Sequence, residues 1–392
     1  MSTGNIGWRY YKDYFQCEYS KSNDYDTKNG LITGSKLSDY DSGLFSFQGK
    51  ELNLKDDFII PTKYPGLATG TGVSHGIKGR NEAFKLGFYF DHTTGLPMIP
   101  GSSVKGLLRS YFPLRYKHKY PDEYKFRVVY IAEMIEKLNQ KLNEFNDLFQ
   151  KELDELLKEK IKVISSKHEK NRQKLQEEFE ESILSGIETD PDFDGDAEWK
   201  KIPMLVDAEI KSRINAEKES AVKPKEKEKI LNRLDKQKRK SLNDFKSKLK
   251  NNFDINLSYT DELGRKIEEI EIEIFEGKKF DKIDPTSKKP KYNYLPVYQR
   301  DIFHDASLTG NQGEFLQKDY ITPHKEEFQE PEPIMFLKIA PKTNFRFFFD
   351  LKDSSNCKLS KEVKLILFEV IIGTFGIGAK TNVGYGQFTN VQ

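Results

Sequence analysis

Cysteine is nearly absent from this chain. Cys17 and Cys357 are the only two, they lie far apart, and neither has a second cysteine or a histidine at ligand spacing. That excludes a zinc motif and a disulfide framework, and it makes a reducing compartment the default. The six histidines, His75, His92, His118, His168, His304 and His324, are scattered without a metal spacing, and no serine or cysteine sits in a nucleophile motif. Long apolar runs are missing too. None reaches the ~18 residues of a membrane span, and the opening "MSTGNIGWRYYKDYF" lacks the apolar stretch of a secretory signal. The sequence therefore reads as soluble and cytoplasmic, with no metal and no cofactor. A surplus of one charge sign is also lacking: the formal net charge is +2. Any polyanion must then be met by local placement of bases, not by an overall positive field.

What is present is charge of both signs, concentrated in the middle of the chain. Residues 131–250 hold 27 basic and 27 acidic side chains. Within them Ile131, Ile135, Leu138, Leu142, Phe145, Phe149, Leu153 and Leu156 recur by fours and threes, which predicts a long helix with one apolar seam. A break at "ETDPDFDGDAEWKKIP" is followed by a second helical pattern through Ile210, Ile214, Ile230, Leu234, Leu242, Phe245 and Leu249. Residues 131–190 carry 10 bases and 15 acids, whereas 191–250 carry 17 and 12. Opposite signs suit two arms folded back on each other. The expectation is an antiparallel helical hairpin or coiled coil, residues 121–255, inserted into a host made of 1–120 and 256–392.

The host sequence has a different texture. Its first sixty residues mix aromatic and polar types and read as short strands and loops. "AFKLGFYFD" reads as a buried strand, "HTTG" turns the chain, and "LPMIPGSSVKGLLRSYF" enters a helix whose first amides Ser102 or Ser103 are placed to cap. Later, "IMFLKIA" and "NFRFFFDL" read as a strand pair turned by "PKT", and "SKEVKLILFEVIIGTFG" as an apolar helix capped by Ser360 and ended by glycine. Strand–helix, insertion, strands–helix–strand is the order of an α+β fold with helices on one face of an antiparallel sheet.

Two stretches carry the chemistry. "GTFGIGAKTNVGYGQF", Gly373 to Phe388, nearly spells a phosphate-binding P-loop, but Ala379 separates Gly378 from Lys380, and a helix precedes the loop where a strand is required. Nucleotide hydrolysis is excluded on both counts. Glycines at Gly376 and Gly378 instead permit positive φ and close backbone approach, so the loop reads either as an amide-lined ledge rimmed by Lys380, Thr381 and Asn382, or as a tight helix-ending turn. The second stretch sets Ser102 and Ser103 at a helix start, with Lys105 one turn inside and Arg109 four residues on. His75, Lys78 and Arg80 lie in the glycine-rich segment before it. Tyr385 is placed for base stacking, with a core position as the other reading.

"KLGFYFDHTTGLPMIPGSSVKGLLRSYFP", "YITPHKEEFQEPEPIMFLKIAPKTNFRFFFDL" and "FGIGAKTNVGYGQF", in that order, resemble the RAMP superfamily of CRISPR effector subunits, and more narrowly the sixth subunit of the Cmr series in type III-B complexes. The long helical block is not part of that pattern. The resemblance implies a ferredoxin-like, RRM-related core and a non-catalytic, RNA-binding place in an antiviral ribonucleoprotein. Its partners would be the 3′-proximal guide RNA, the neighbouring RAMP subunits and the small helical subunit, with target RNA nearby. Two alternatives stand beside it: a RAMP-type endoribonuclease using His75 or Asp91–His92 as base, and a coiled-coil scaffold without RNA contact.

Overall fold

The computed structural model describes residues 5–8, 10–11, 29–30, 32–33, 56–69, 85–86, 88–189, 200–218, 222–251, 255–285, 288, 290–310, 313–321, 333–354 and 359–389. Within these the fold mixes helices with mostly antiparallel sheets. Two compact units form: one from residues 1–139 and 243–392, the other from 140–242. No helix among the described residues is long and apolar enough to cross a membrane.

The first unit is built on β1 (Asp56–Pro61), β3 (Tyr89–Phe90), β4 (Pro97–Ile99), β7 (Ile302–Phe303), β8 (Ala306–Gly310) and β11 (Asn344–Asp350). These make a six-stranded sheet in the order β1-β11-β8-β4-β3, with β7 pairing the end of β11. The alternation of "NFRFFFD" determines which face is wet. Phe345, Phe347 and Phe349 are buried, while Asn344, Arg346, Phe348 and Asp350 are only half-covered, as expected of an antiparallel strand with one face on the core. In register, Phe58 stands opposite Phe347 and Ile60 opposite Phe345. On the wetter side Arg346 Nε donates to Asp57 Oδ2 at 2.6 Å.

Three helices supply the apolar layer: α1 (Gly101–Ser110), α6 (Asp261–Glu276) and α7 (Lys361–Phe375). Phe368 of α7 packs on Phe303 and Phe349 of the sheet and on Phe275 of α6. Both longer helices start as their sequences dictate. Ser360 Oγ accepts from the Val363 amide, and Thr260 Oγ1 accepts from Leu263; such caps typically stabilise by ~1 kcal/mol. Lys364 is the exception in an apolar helix. It is almost fully buried, and its Nζ is satisfied by Asp301 Oδ2 and the Lys352 carbonyl, each at 2.7 Å.

A second sheet joins β2 (Lys85–Leu86), β10 (Ile334–Ile339) and β9 (Leu316–Ile321), and β5 (Lys278–Ile283) pairs with β6 (Pro290–Tyr294). This corrects the expected pairing of "IMFLKIA" with "NFRFFFDL". Both are strands, but β10 pairs β2 and β9 while β11 pairs β1, β7 and β8. The intervening turn, with Lys342 at φ 61, carries the chain from one sheet to the other.

The second unit is helical. It takes in the C-terminal part of α2 (Pro121–Lys170), then α3 (Arg172–Thr189), α4 (Ile202–Lys218) and the first part of α5 (Pro224–Asn251). Arg172 pairs with Asp207, His168 with Glu217, Lys160 with Glu226 and Glu152 with Arg233. As one partner falls in number the other rises, so the arms run antiparallel. Leu175 packs with Ile202, Val206 and Ile210, with Ile214 against them. Of these, Ile210 and Ile214 are among the apolar positions picked out by their spacing in the sequence, and Leu175, Ile202 and Val206 are not.

Candidate nucleic-acid interface

The loop after α7 is a backbone braid before it is anything else. The Ile377 amide donates to Gly386 O, the Gly386 amide to Gly66 O and the Ala379 amide to Ala68 O, at 2.6–2.9 Å. Main chains this close leave no room for side chains. A Cβ on Gly386 would sit 1.9 Å from Ile377 O, one on Gly378 2.4 Å from Ala68 O, and both residues have positive φ. The glycines thus serve close packing. The loop's amides are largely spent on carbonyls, so an amide-lined ledge does not form along its length.

What the braid presents to solvent is a single turn, Thr381–Val383, entered by Lys380 in the left-handed conformation at φ 60. Lys380, Asn382 and Val383 are exposed, and Thr381 is half-covered. Beside this turn lies a residue that the sequence reading passed over. Tyr64 is 80% exposed, next to exposed Lys63 and ahead of Pro65, which faces Gly384. The visible signal was "KYPG" itself, an aromatic and a base on a proline turn. Tyr385, by contrast, is buried. Its Oη donates to Asp319 Oδ2 at 2.5 Å, and its ring packs with Phe336 and Ala68. Asp319 also accepts from Lys338 Nζ at 2.7 Å, which places that ammonium about 6 Å from the Tyr64 and Tyr385 rings. Burial alone would raise the Asp319 carboxyl, but the bonds from Lys338 and Tyr385 hold it below its ordinary value. Burial and the Asp319 bond both push the Tyr385 hydroxyl upward. The Tyr385 ring is therefore a packed support under the turn, with Tyr64 as the aromatic surface.

Helix α1 departs from expectation at both ends. Neither Ser102 nor Ser103 caps it: Pro100 holds the N-cap position without a side-chain bond, and the Gly101 amide donates to Asp305 Oδ1 at 2.6 Å. An internal carboxylate thus occupies the positive end of the helix. Ser102 and Ser103 are exposed. Lys105 is half-covered, its Nζ 5.7 Å from the Phe303 ring. Arg109 is committed to protein, with Nη2 on Glu276 Oε1 at 2.6 Å and Nε 3.5 Å from Glu271. Burial pushes the Glu271 carboxyl up to about 7, against the Leu114 amide and Arg109. Tyr111, just past α1, stacks on Phe375, just before the glycine loop, at 3.9 Å. The loop therefore begins, at the end of α7, beside the C-terminal end of α1, about 15 Å along the axis of α1 from its start.

The remaining candidates are placed as follows. His75, Lys78 and Arg80 lie outside the described residues. Asp91 Oδ1 accepts from the amides and hydroxyls of Thr93 and Thr94. Burial alone would raise that carboxyl, and these bonds bring it below its usual range. It anchors the "HTTG" turn beside a cavity of about 230 Å³ that His304, Asp305 and Ser307 also line. Among the described residues no group of three or more His, Cys, Asp or Glu is arranged to hold a metal.

The chain matches the RAMP superfamily over residues 59–389. It belongs to that superfamily. The matched span begins in β1 and ends at Thr389, whose amide donates to the Pro61 carbonyl of β1, so the two ends of this RAMP region are bonded to each other. The same span encloses the helical unit. No curated protein matches the chain. Among solved structures it is similar to a chain of the type III-B Cmr-beta complex bound to cognate target RNA. That likeness has 16% identity, covers 99% of this chain and 88% of that one, and has a TM-score of 0.38. Cmr6 from Pyrococcus furiosus is also similar, at 15% identity, covering 86% of this chain and 94% of that one, with a TM-score of 0.25.

Proposed function

We propose that this RAMP protein is a non-catalytic RNA-binding subunit of a type III-B CRISPR effector ribonucleoprotein. In this reading it holds the 3′-proximal part of the guide in the cytoplasm and contacts neighbouring RAMP subunits and the small helical subunit. The core formed by 1–120 and 256–392 is the ferredoxin-like part, and 121–255 is an inserted helical hairpin with coiled-coil character. The observation that carries the proposal is the exposed turn at Lys380, Thr381 and Asn382, set by the glycine braid beside Lys63 and the uncovered ring of Tyr64. Bases meet phosphates there and an aromatic face meets a base, which is how single strands are held without reading sequence. Ser102, Ser103 and Lys105 extend the contact. Arg109, already bonded to Glu276, contributes by fixing α1.

Absence of catalysis is part of the proposal. It is supported by Asp91, whose Oδ1 is taken up within the turn by the amides of Thr93 and Thr94. The test of binding is a salt series on single-stranded RNA. Lys63→Ala and Lys380→Ala should each lower the log–log slope by about 0.7, and Tyr64→Ala should weaken binding with the slope unchanged. Unaltered slopes in both lysine variants would defeat the assignment. RNA cleavage by the purified chain that disappears in Asp91→Ala would defeat the non-catalytic part.

A further inference from the structure

The helical unit carries a feature that neither the family match nor the proposed function uses. In α5 between Pro224 and Leu242 there are eight bases and three acids. Over Gln140–Lys170, the stretch of α2 in the same unit, there are seven of each. Both stretches are solvated and comparably polar, so solubility alone does not account for the difference. At 3.6 residues per turn, Lys225, Lys229, Lys236 and Lys240 fall within an arc of about 60° on α5. Buried Leu234 lies on the opposite side. All four lysines are exposed, and among the described residues none of them makes an ion pair. By position, the three acids of the stretch lie outside the arc, and Glu226 is taken up by Lys160 of α2 at 2.8 Å. No aromatic residue stands on the ridge, and Asn232 is exposed at its centre.

A one-signed ridge works against its own helix. Lys225 with Lys229, and Lys236 with Lys240, are like charges at i,i+4, each costing about 0.2–0.5 kcal/mol. A line of negative charge laid along the helix removes that repulsion. The ridge presents roughly one ammonium per turn over about 23 Å. We propose that it is a second nucleic-acid site, one that holds a single-stranded RNA along its phosphates without reading bases. A flexible strand can lie along a straight ridge, whereas a duplex backbone curves away from it after a few phosphates. The proposal does not rest on the turn at Lys380, which belongs to the other unit.

The full chain tests it, with a fluorescently labelled oligouridine in an anisotropy titration over a range of salt. Replacing all four lysines, Lys225→Gln, Lys229→Gln, Lys236→Gln and Lys240→Gln, preserves helix propensity and should lower the slope of log affinity against log salt by up to about 2.8. The matched control replaces the exposed Lys151, Lys158, Lys162 and Lys170 of α2 with glutamine and should leave the slope unchanged. Equal losses in the two variants, or no loss in the ridge variant at undiminished helicity by circular dichroism, overturn the proposal. So does a ridge that prefers a duplex of equal length. Loss of poly-glutamate binding with RNA binding retained would assign the ridge to an acidic protein and also overturn it. Parallel titration of the Lys63→Ala and Lys380→Ala variants separates the two sites, because a loss confined to one set of lysines condemns only the other.

Discussion

Single residues in this protein are tuned by what lies across the chain from them. Glu271 is the clearest case. Its carboxyl is pushed up to about 7 by burial, so the folded protein keeps a proton there that the unfolded chain releases above about 4.5. Between those values the folded state binds more protons, and stability falls as pH rises, by an amount on the order of 3 kcal/mol by pH 8. Glu271→Gln keeps the acceptor for the Leu114 amide and removes the titration. Its urea midpoint should exceed that of the wild type at pH 8, with the gap closing towards pH 5; a constant gap would show that Glu271 does not titrate there. Tyr385→Phe should cost about 1 kcal/mol through the lost bond to Asp319, while RNA affinity stays as it was. A drop in affinity would return the ring to the binding surface. Neither environment was legible from local sequence. Glu271 and Arg109 are brought together by the packing of α6 on α1, and Tyr385 meets Asp319 across 66 residues.

Elements were read well wherever their signals are local. Ser360 caps α7 and glycine ends it, and the isoleucine and leucine spacing marked both helical arms, because caps and periodicity act within a few residues. The start of α1 departs from this, with Pro100 in the N-cap position in place of Ser102 or Ser103. Pairing is not local, and so β10 and β11, adjacent in sequence, were assigned to each other when their partners lie in different sheets. Glycine roles divide in the same way. Gly386 is fixed by the approach of the Ile377 carbonyl, and Gly386→Ala should destabilise by at least about 2 kcal/mol. Gly106 of α1 has nothing within 4 Å of an added Cβ, so Gly106→Ala should stabilise by about 0.5–1 kcal/mol. Thermal midpoints of the two variants moving in the same direction would refute this division.

At the level of the whole molecule, the two compact units should unfold as separate cooperative events. Calorimetry of the full chain is expected to show two transitions, and a chain with residues 140–242 replaced by a short Gly/Ser linker should keep only that of the first unit. One merged transition, or collapse of the shortened chain, would contradict it. The acceptors at Glu133 give such an excision a physical basis. This carboxylate takes hydrogen bonds from the amides of Asn256 and Leu257, 123 and 124 residues further on, and so ties the feet of the long excursion together. The sheet bond from Arg346 to Asp57 spans 289 residues. With the excursion already folded, the loop to be closed shrinks to about 165 (289 − 124) residues, a difference of only about 0.5 kcal/mol in closure entropy. A detour of more than a hundred residues therefore burdens the host very little, and its length is free to drift as long as its two feet stay where that one carboxylate holds them.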